Sequence, residues 1–167
     1  MNKSDDLAPP EQVSGDVSGP RDPEGLLALM GKELKVSRSY IITVDSRGIG
    51  KNTHEWCLPG IGSQKNSMVH FFISEKWIRQ LKEEGVILIS DINQVELRIR
   101  AELGRQNILA LAAVPLWNGE ELWGFLGVDE CVVKNRKWRD EEIQKLRRFS
   151  GLVNDVYQRI NANPLKD

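Results

Sequence analysis

Cysteine and histidine are scarce in this chain, two of each in 167 residues, and no Cys-x-x-Cys pair occurs. A disulfide framework is therefore excluded, and His54, Cys57, His70 and Cys131 lack the paired spacing of a zinc site. Charge of one sign is also lacking: 23 Lys and Arg face 24 Asp and Glu, a net charge of -1. A nucleic-acid partner calls for a broad basic surface, so none is expected, and "KNRKWR" at 134–139 reads as a solvated turn. Long apolar runs are missing as well. The longest, "ILALAAVPLW" at 108–117, is about half a membrane span, and the N-terminus lacks the basic-then-apolar pattern of a secretion signal. These absences set the expectation of a soluble, cytoplasmic protein with reduced thiols, no membrane partner and no metal.

What is present suits one core. Apolar residues make up 40% of the chain, with five tryptophans, and the length fits a single domain plus tails. Residues 1–21, rich in Pro, Gly, Ser and Asp, are expected to be a disordered tail or linker. Residues 22–162 are expected to form the domain, and 163–167 a second tail.

A helix is expected after Pro23, with Leu26, Leu27, Met30 and Leu34 as its apolar stripe. "RSYIITV" (38–44) and "NTHEWCL" (52–58) read as neighbouring strands joined by "DSRGIGKN". "SEKWIRQLKEEG" (74–85) reads as a helix from a Ser74 cap to a Gly85 stop. "VILIS" (86–90) reads as a buried strand. "VELRIRAEL" (95–103) fits a half-buried strand and a helix equally well. Residues 108–131 read as a hairpin about Asn118-Gly119, in which Pro115 implies a bulge or an unpaired edge.

The last element, about 140–162, carries apolar residues over nearly half its circumference, wider than one sheet requires. Leu146, Phe149, Val153, Val156 and Ile160 alternate in steps of three and four, the spacing of a helical seam. Two packing partners follow: the domain's own sheet, and a second helix in this chain or in a second copy. The seam is assigned to a homodimer interface.

The order helix, strand, strand, helix, strand, helix, strand, strand, helix, with the stretches "RSYIITV", "NTHEWCLPGI", "WIRQLKEEGVILISDI", "LGRQNILALAAVPLWNGEELWGFLGVDEC" and "RKWRDEEIQKLRRFSGLVNDVYQRI", resembles the GAF domain family of small-molecule sensors. The resemblance spans about 24–160. It implies an α+β sandwich with a central antiparallel sheet, terminal helices on one face and ligand-roofing helices on the other. It also implies a helix at 95–103 and a regulatory, non-catalytic role in bacterial signal transduction.

Specialised branches of that family match poorly. The bilin-binding branch commonly has histidine after its attachment cysteine, whereas Cys57 precedes Leu58 and Cys131 precedes Val132. The cyclic-nucleotide signature is inverted at Lys134-Asn135 and has Trp138 where phenylalanine is expected, ahead of Asp140-Glu141. The branch that reduces free methionine sulfoxide needs several placed thiols.

Ligand contacts are assigned to Tyr40, Trp56, Trp77, Asp91 and Arg98, a mixture of apolar walls and polar groups. A structural salt bridge is the alternative for Asp91 and Arg98. In "NTHEWCL", strand alternation puts His54 and Trp56 on one side and Glu55 and Cys57 on the other, so histidine and cysteine do not converge on one metal. Trp56 is the residue of that strand expected to meet the ligand. No cofactor is named. The competing readings are a dimerisation module without ligand and a thiol redox enzyme of the methionine sulfoxide reductase type.

Overall fold

A computed structural model describes residues 19–162; the two terminal segments assigned as tails lie almost wholly outside that range. The first helix, α1 (Pro23–Leu34), is entered through Asp22, whose carboxylate accepts from the Gly25 amide at 2.8 Å. Pro23 stands where its missing N–H costs nothing, and the helix ends at Lys35 in the left-handed region. Two long strands follow, β1 (Arg38–Val44) and β2 (Ile49–Cys57), and then the short β3 (Phe71–Phe72).

Ser74 caps α2 (Glu75–Glu84) by accepting from the Trp77 amide, and Gly85 stops it with φ 68. After β4 (Ile87–Ile89) comes α3 (Leu97–Arg105), so the ambiguous segment is helical. Leu103 is buried on its inner face, whereas Leu97 projects into solvent. The last elements are β5 (Ala110–Asn118), β6 (Glu121–Glu130) and α4 (Asp140–Ala162).

All pairings are antiparallel, in the order β3-β2-β1-β6-β5-β4. The β5–β6 turn is offset by one residue from expectation. Asn118 pairs with Glu121, which leaves Gly119 and Glu120 as the loop, and Gly119 takes the required positive φ of 61. Pro115 lies past the end of β4, which pairs only with Leu111–Ala113, and the β5–β6 register shifts one residue later, at Leu116/Trp117.

The two sheet faces carry separate cores. On one side, α1 and α4 cover Ile41, Ala112, Val114, Leu116, Leu126 and Val128. On the other, α2 and α3 supply Leu81 and Leu103 over Tyr40, Ile42, Leu111, Ala113 and Phe125. Strand alternation thus sends every second residue of β5 and β6 to the terminal helices and the rest to the opposite layer.

The width of the α4 stripe has an internal explanation. Leu146, Phe149, Val153 and Val156 are buried in this chain's own core with α1 and the sheet, so the second helix is α1. These four side chains are closed to a second copy, which corrects the seam assignment. Only Ile160 of that set is exposed, at 58%, and Leu152 is exposed outside it. The seam spacing recorded an α1–α4 contact within one chain, because a helix lying between a sheet and a helix is apolar toward both.

Candidate functional site

A cavity of about 1010 Å³ opens between the sheet and the α2–α3 layer. Its apolar wall includes Ile42, Leu111 and Phe125 from the strands, with Trp77 and Ile78 from α2 and Ile99 and Leu103 from α3. Trp77 and Phe125 meet at 6.4 Å between ring centroids. Residues 64–72, between β2 and α2, add Gln64, Ser67, Met68 and Phe71 along one side.

The polar groups of the sheet side come from three adjacent strands. Tyr40 of β1 and Asp129 of β6 are joined by their side chains, the Tyr40 hydroxyl donating to Asp129 Oδ1 at 2.8 Å. Tyr40 lies flat over Gly127, where any side chain would overlap its ring. Arg38 donates through Nη1 to Asp129 Oδ2 at 3.4 Å, and both side chains are almost fully buried. Burial pushes the Asp129 carboxyl up to about 7, with the Tyr40 hydrogen bond and the Arg38 charge pulling the other way. The Tyr40 phenol is raised well above its ordinary value, first by burial and then by the neighbouring Asp129 charge.

β2 contributes through an irregularity that strict alternation misses. Ile41 pairs with His54 and Ile42 with Asn52, so Thr53 is an extra residue on β2. The bulge turns Asn52 to the same side as Glu55, and Asn52 Nδ2 donates to Glu55 Oε2 at 3.2 Å. Glu55 also accepts from the Ser63 hydroxyl and the Gln64 amide, which fastens the following loop to the sheet. Asn52 Oδ1 and Trp77 Nε1 are buried without a hydrogen-bond partner, and both residues line the cavity.

Of the five residues assigned from sequence, the structure brings Tyr40, Trp77 and Arg98 to one cavity. Trp56 is on the other face. Its ring packs into the α1–α4 core against Gly31, and His54 joins it there, 3.6 Å from Glu24. His54 to Cys57 alternate as expected beyond the bulge, but the face toward the cavity is that of Glu55. Asp91 is not part of the wall either: its carboxylate accepts from the Asn93 amide at 2.9 Å and caps the 3₁₀ turn Ile92–Gln94. Among the described residues neither Asp91 nor Arg98 enters an ion pair. Sequence reasoning missed Asn52, Glu55 and Asp129. For Asp129 a signal existed, an acid within the apolar run of "GFLGVDEC".

Behind the sheet, Glu130 connects this face to the helices. Its carboxylate accepts from Ser37, Val132 and Arg136, and Arg136 also donates to the Leu34 and Lys35 carbonyls at the end of α1 and to Glu142 in the first turn of α4. The Arg136 guanidinium lies 4.5 Å over Trp138, whose Nε1 donates to the Ile89 carbonyl. Asp129 and Glu130, neighbours on β6, thus project respectively to the cavity and to the junction of the terminal helices.

Comparison with known proteins agrees with this architecture. The chain is 28% identical over 144 residues to the methanogenesis regulatory histidine kinase FilI of Methanothrix harundinacea (strain 6Ac), a match covering 80% of this chain and 16% of the kinase. The chain thus spans a small part of that relative's length. Among solved structures, the GAF domain of the cyanobacteriochrome TePixJ aligns with a TM-score of 0.71 at 20% identity, covering 91% of this chain and 99% of that one. The chromophore-binding domain of the bacteriophytochrome RpBphP3 from R. palustris aligns at 0.73 and 12% identity, covering 85% and 55%. At such identities the structural likeness concerns the fold. The GAF domain family model matches residues 24–155, so the chain belongs to the GAF domain family.

Proposed function

We propose that this domain is a non-catalytic sensor: a small molecule enters the cavity beneath α2 and α3, and its presence biases the packing of α1 and α4. The carrying observation is the cavity of about 1010 Å³ with buried polar groups on the sheet face opposite the terminal helices. Asp129 and Glu130 supply the connection, since a shift of β6 that accommodates a ligand at the first also moves the second and the Arg136 junction it holds. Ligand control requires different affinities for two helix arrangements, and this junction is where two arrangements would differ. The likeness to FilI supports a histidine-kinase setting for the output. The chromophore binding of the RpBphP3 domain is not carried over to this chain.

A homodimer remains part of the proposal, at an exposed surface that shares only Ile160 with the seam. Leu152 and Ile160 on α4 and Leu29 on α1 are the exposed large apolar residues of the terminal helices. Light scattering should give a dimer mass that Leu152→Glu with Ile160→Glu reduces to a monomer; an unchanged mass would remove the dimer from the proposal.

Native mass spectrometry of freshly purified protein tests the sensor reading. The expected result is a co-purifying small mass, or uptake of one from a metabolite extract, lost when Ile99→Trp fills the cavity from α3. A chain that stays empty in both experiments would instead favour a ligand-free interaction module.

A further inference from the structure

The sheet side of the cavity gathers more hydrogen-bond acceptors than cations. Asp129 and Glu55 both line it, and the guanidinium paired with Asp129, that of Arg38, does not. Arg38 is largely committed elsewhere: its Nε donates to the Gly62 carbonyl and its Nη1 to the Gln106 carbonyl, each at 2.9 Å, and its reach to Asp129 is the longer one at 3.4 Å. Glu55 has donors from Asn52, Ser63, Gln64 and Cys57, all uncharged. Two carboxylates therefore face one guanidinium that sits outside the wall.

Asn52 is an independent pointer to the same chemistry. It is only 3% exposed, and its amide nitrogen faces the Glu55 carboxylate, donating to Oε2 at 3.2 Å. The carbonyl oxygen Oδ1 is then left buried and without a donor, in a residue that lines the cavity. A buried acceptor left in this state is one that a ligand N–H would satisfy.

The cations of the wall are placed differently. Arg47, Lys76, Arg98 and Arg105 are all exposed and belong to the β1–β2 turn and to α2 and α3, and Arg47 and Arg105 are paired with Asp45 and Glu102. The cavity is thus acceptor-rich on the sheet and cationic only at its rim.

We propose that the cavity receives an organic amine cation, an ammonium or amidinium, whose N–H donors meet Asp129, Glu55 and the Asn52 carbonyl while its apolar body lies against Ile42, Leu111 and Phe125. This rests on the cavity being a ligand site, as argued above. Charge-assisted N–H donors are the strong match for carboxylates in a buried setting. A bare metal ion fits less well, because no group of three His, Cys, Asp or Glu side chains among the described residues could hold one. The cavity is also far larger than an ion needs.

Three probes sharing one ring test the proposal by NMR titration of the ¹⁵N-labelled full chain at neutral pH: benzylamine, benzyl alcohol and benzoate. The expected result is a benzylamine affinity at least about tenfold above that of benzyl alcohol, with shifts at Asn52, Glu55 and Asp129. Asp129→Asn should bring the two affinities within about twofold by weakening benzylamine; Glu55→Gln serves as a second variant should the first fail to fold. Equal affinities in the native chain, a preference for benzoate, or the same shifts from magnesium chloride alone would overturn the amine assignment and leave the cavity as a ligand site. Failure of all three probes to perturb any cavity residue would overturn the ligand site itself, and the amine assignment with it.

Discussion

Gly31 of α1 and Trp56 of β2 are in direct contact, and a methyl group added at Gly31 would overlap the six-membered ring of the indole. The helix can lie this close to the sheet only because position 31 has no side chain. Gly31→Ala should therefore destabilise the fold by about 1–3 kcal/mol, the usual cost of overpacking a filled core. Urea denaturation of Gly31→Ala, and of the same change combined with Trp56→Phe, checks this: the smaller ring should restore part of the loss. Trp56→Phe alone should leave probe binding in the cavity unchanged, since the ring faces the terminal helices.

Asp129 makes stability pH-dependent in an unusual direction for a carboxylate. Its folded value is raised from 3.8 to about 7, mainly by burial, so between those values the folded chain holds a proton that the unfolded chain has lost. Its contribution is fully present below 3.8 and is lost as pH rises through about 7. His54, lowered mainly by desolvation, works in the opposite sense just below its ordinary 6.5. The expected outcome is a thermal midpoint that falls less steeply in Asp129→Asn than in the native chain between about pH 5 and about pH 8. Parallel slopes would show that Asp129 stays ionised in the fold.

Arg136 is the most heavily engaged side chain at the junction of the helices, bonded to Glu130, Glu142 and two α1 carbonyls. Its removal strands two largely buried carboxylates, so Arg136→Ala should cost about 3–5 kcal/mol. Arg136→Lys should recover only a part, because a single ammonium cannot reproduce the planar fork. Equilibrium unfolding in urea reads both.

The two thiols should be sluggish. Burial and then the Glu55 carboxylate push Cys57 up to about 12, and burial pushes Cys131 up to about 11. Iodoacetamide at about pH 8 should label the folded chain at least about a hundredfold more slowly than an unstructured cysteine peptide, and unfolding in urea should abolish the difference. Rapid labelling of Cys57 in the folded state would revive the thiol redox alternative.

Much of the fold was legible because its signals are local. Asp22-Pro23, Ser74 and Gly85 bracket helices through capping chemistry that needs only a few neighbouring residues. Gly119 marks the β5–β6 turn to within one residue, and the resemblance of the stretches between 24 and 160 carried the sheet and its two helical layers. The site was less legible. Tyr40, Trp77 and Arg98 line the cavity as expected, but alternation in β2 states that His54 and Trp56 share a face without stating which face the cavity occupies.

The sequence by itself thus determined most of the elements with their caps and turns, and the two-sided character of α4, because helix and strand periodicity impose these locally, but it left 95–103 open and did not show β3. Tertiary structure alone decided the rest. It turned Trp56 into a helix-packing residue through the gap at Gly31, brought Asn52 beside Glu55 through the bulge at Thr53, and closed the α4 seam against α1. Each depends on which surface an amphipathic element meets, and that is settled only when the layers pack.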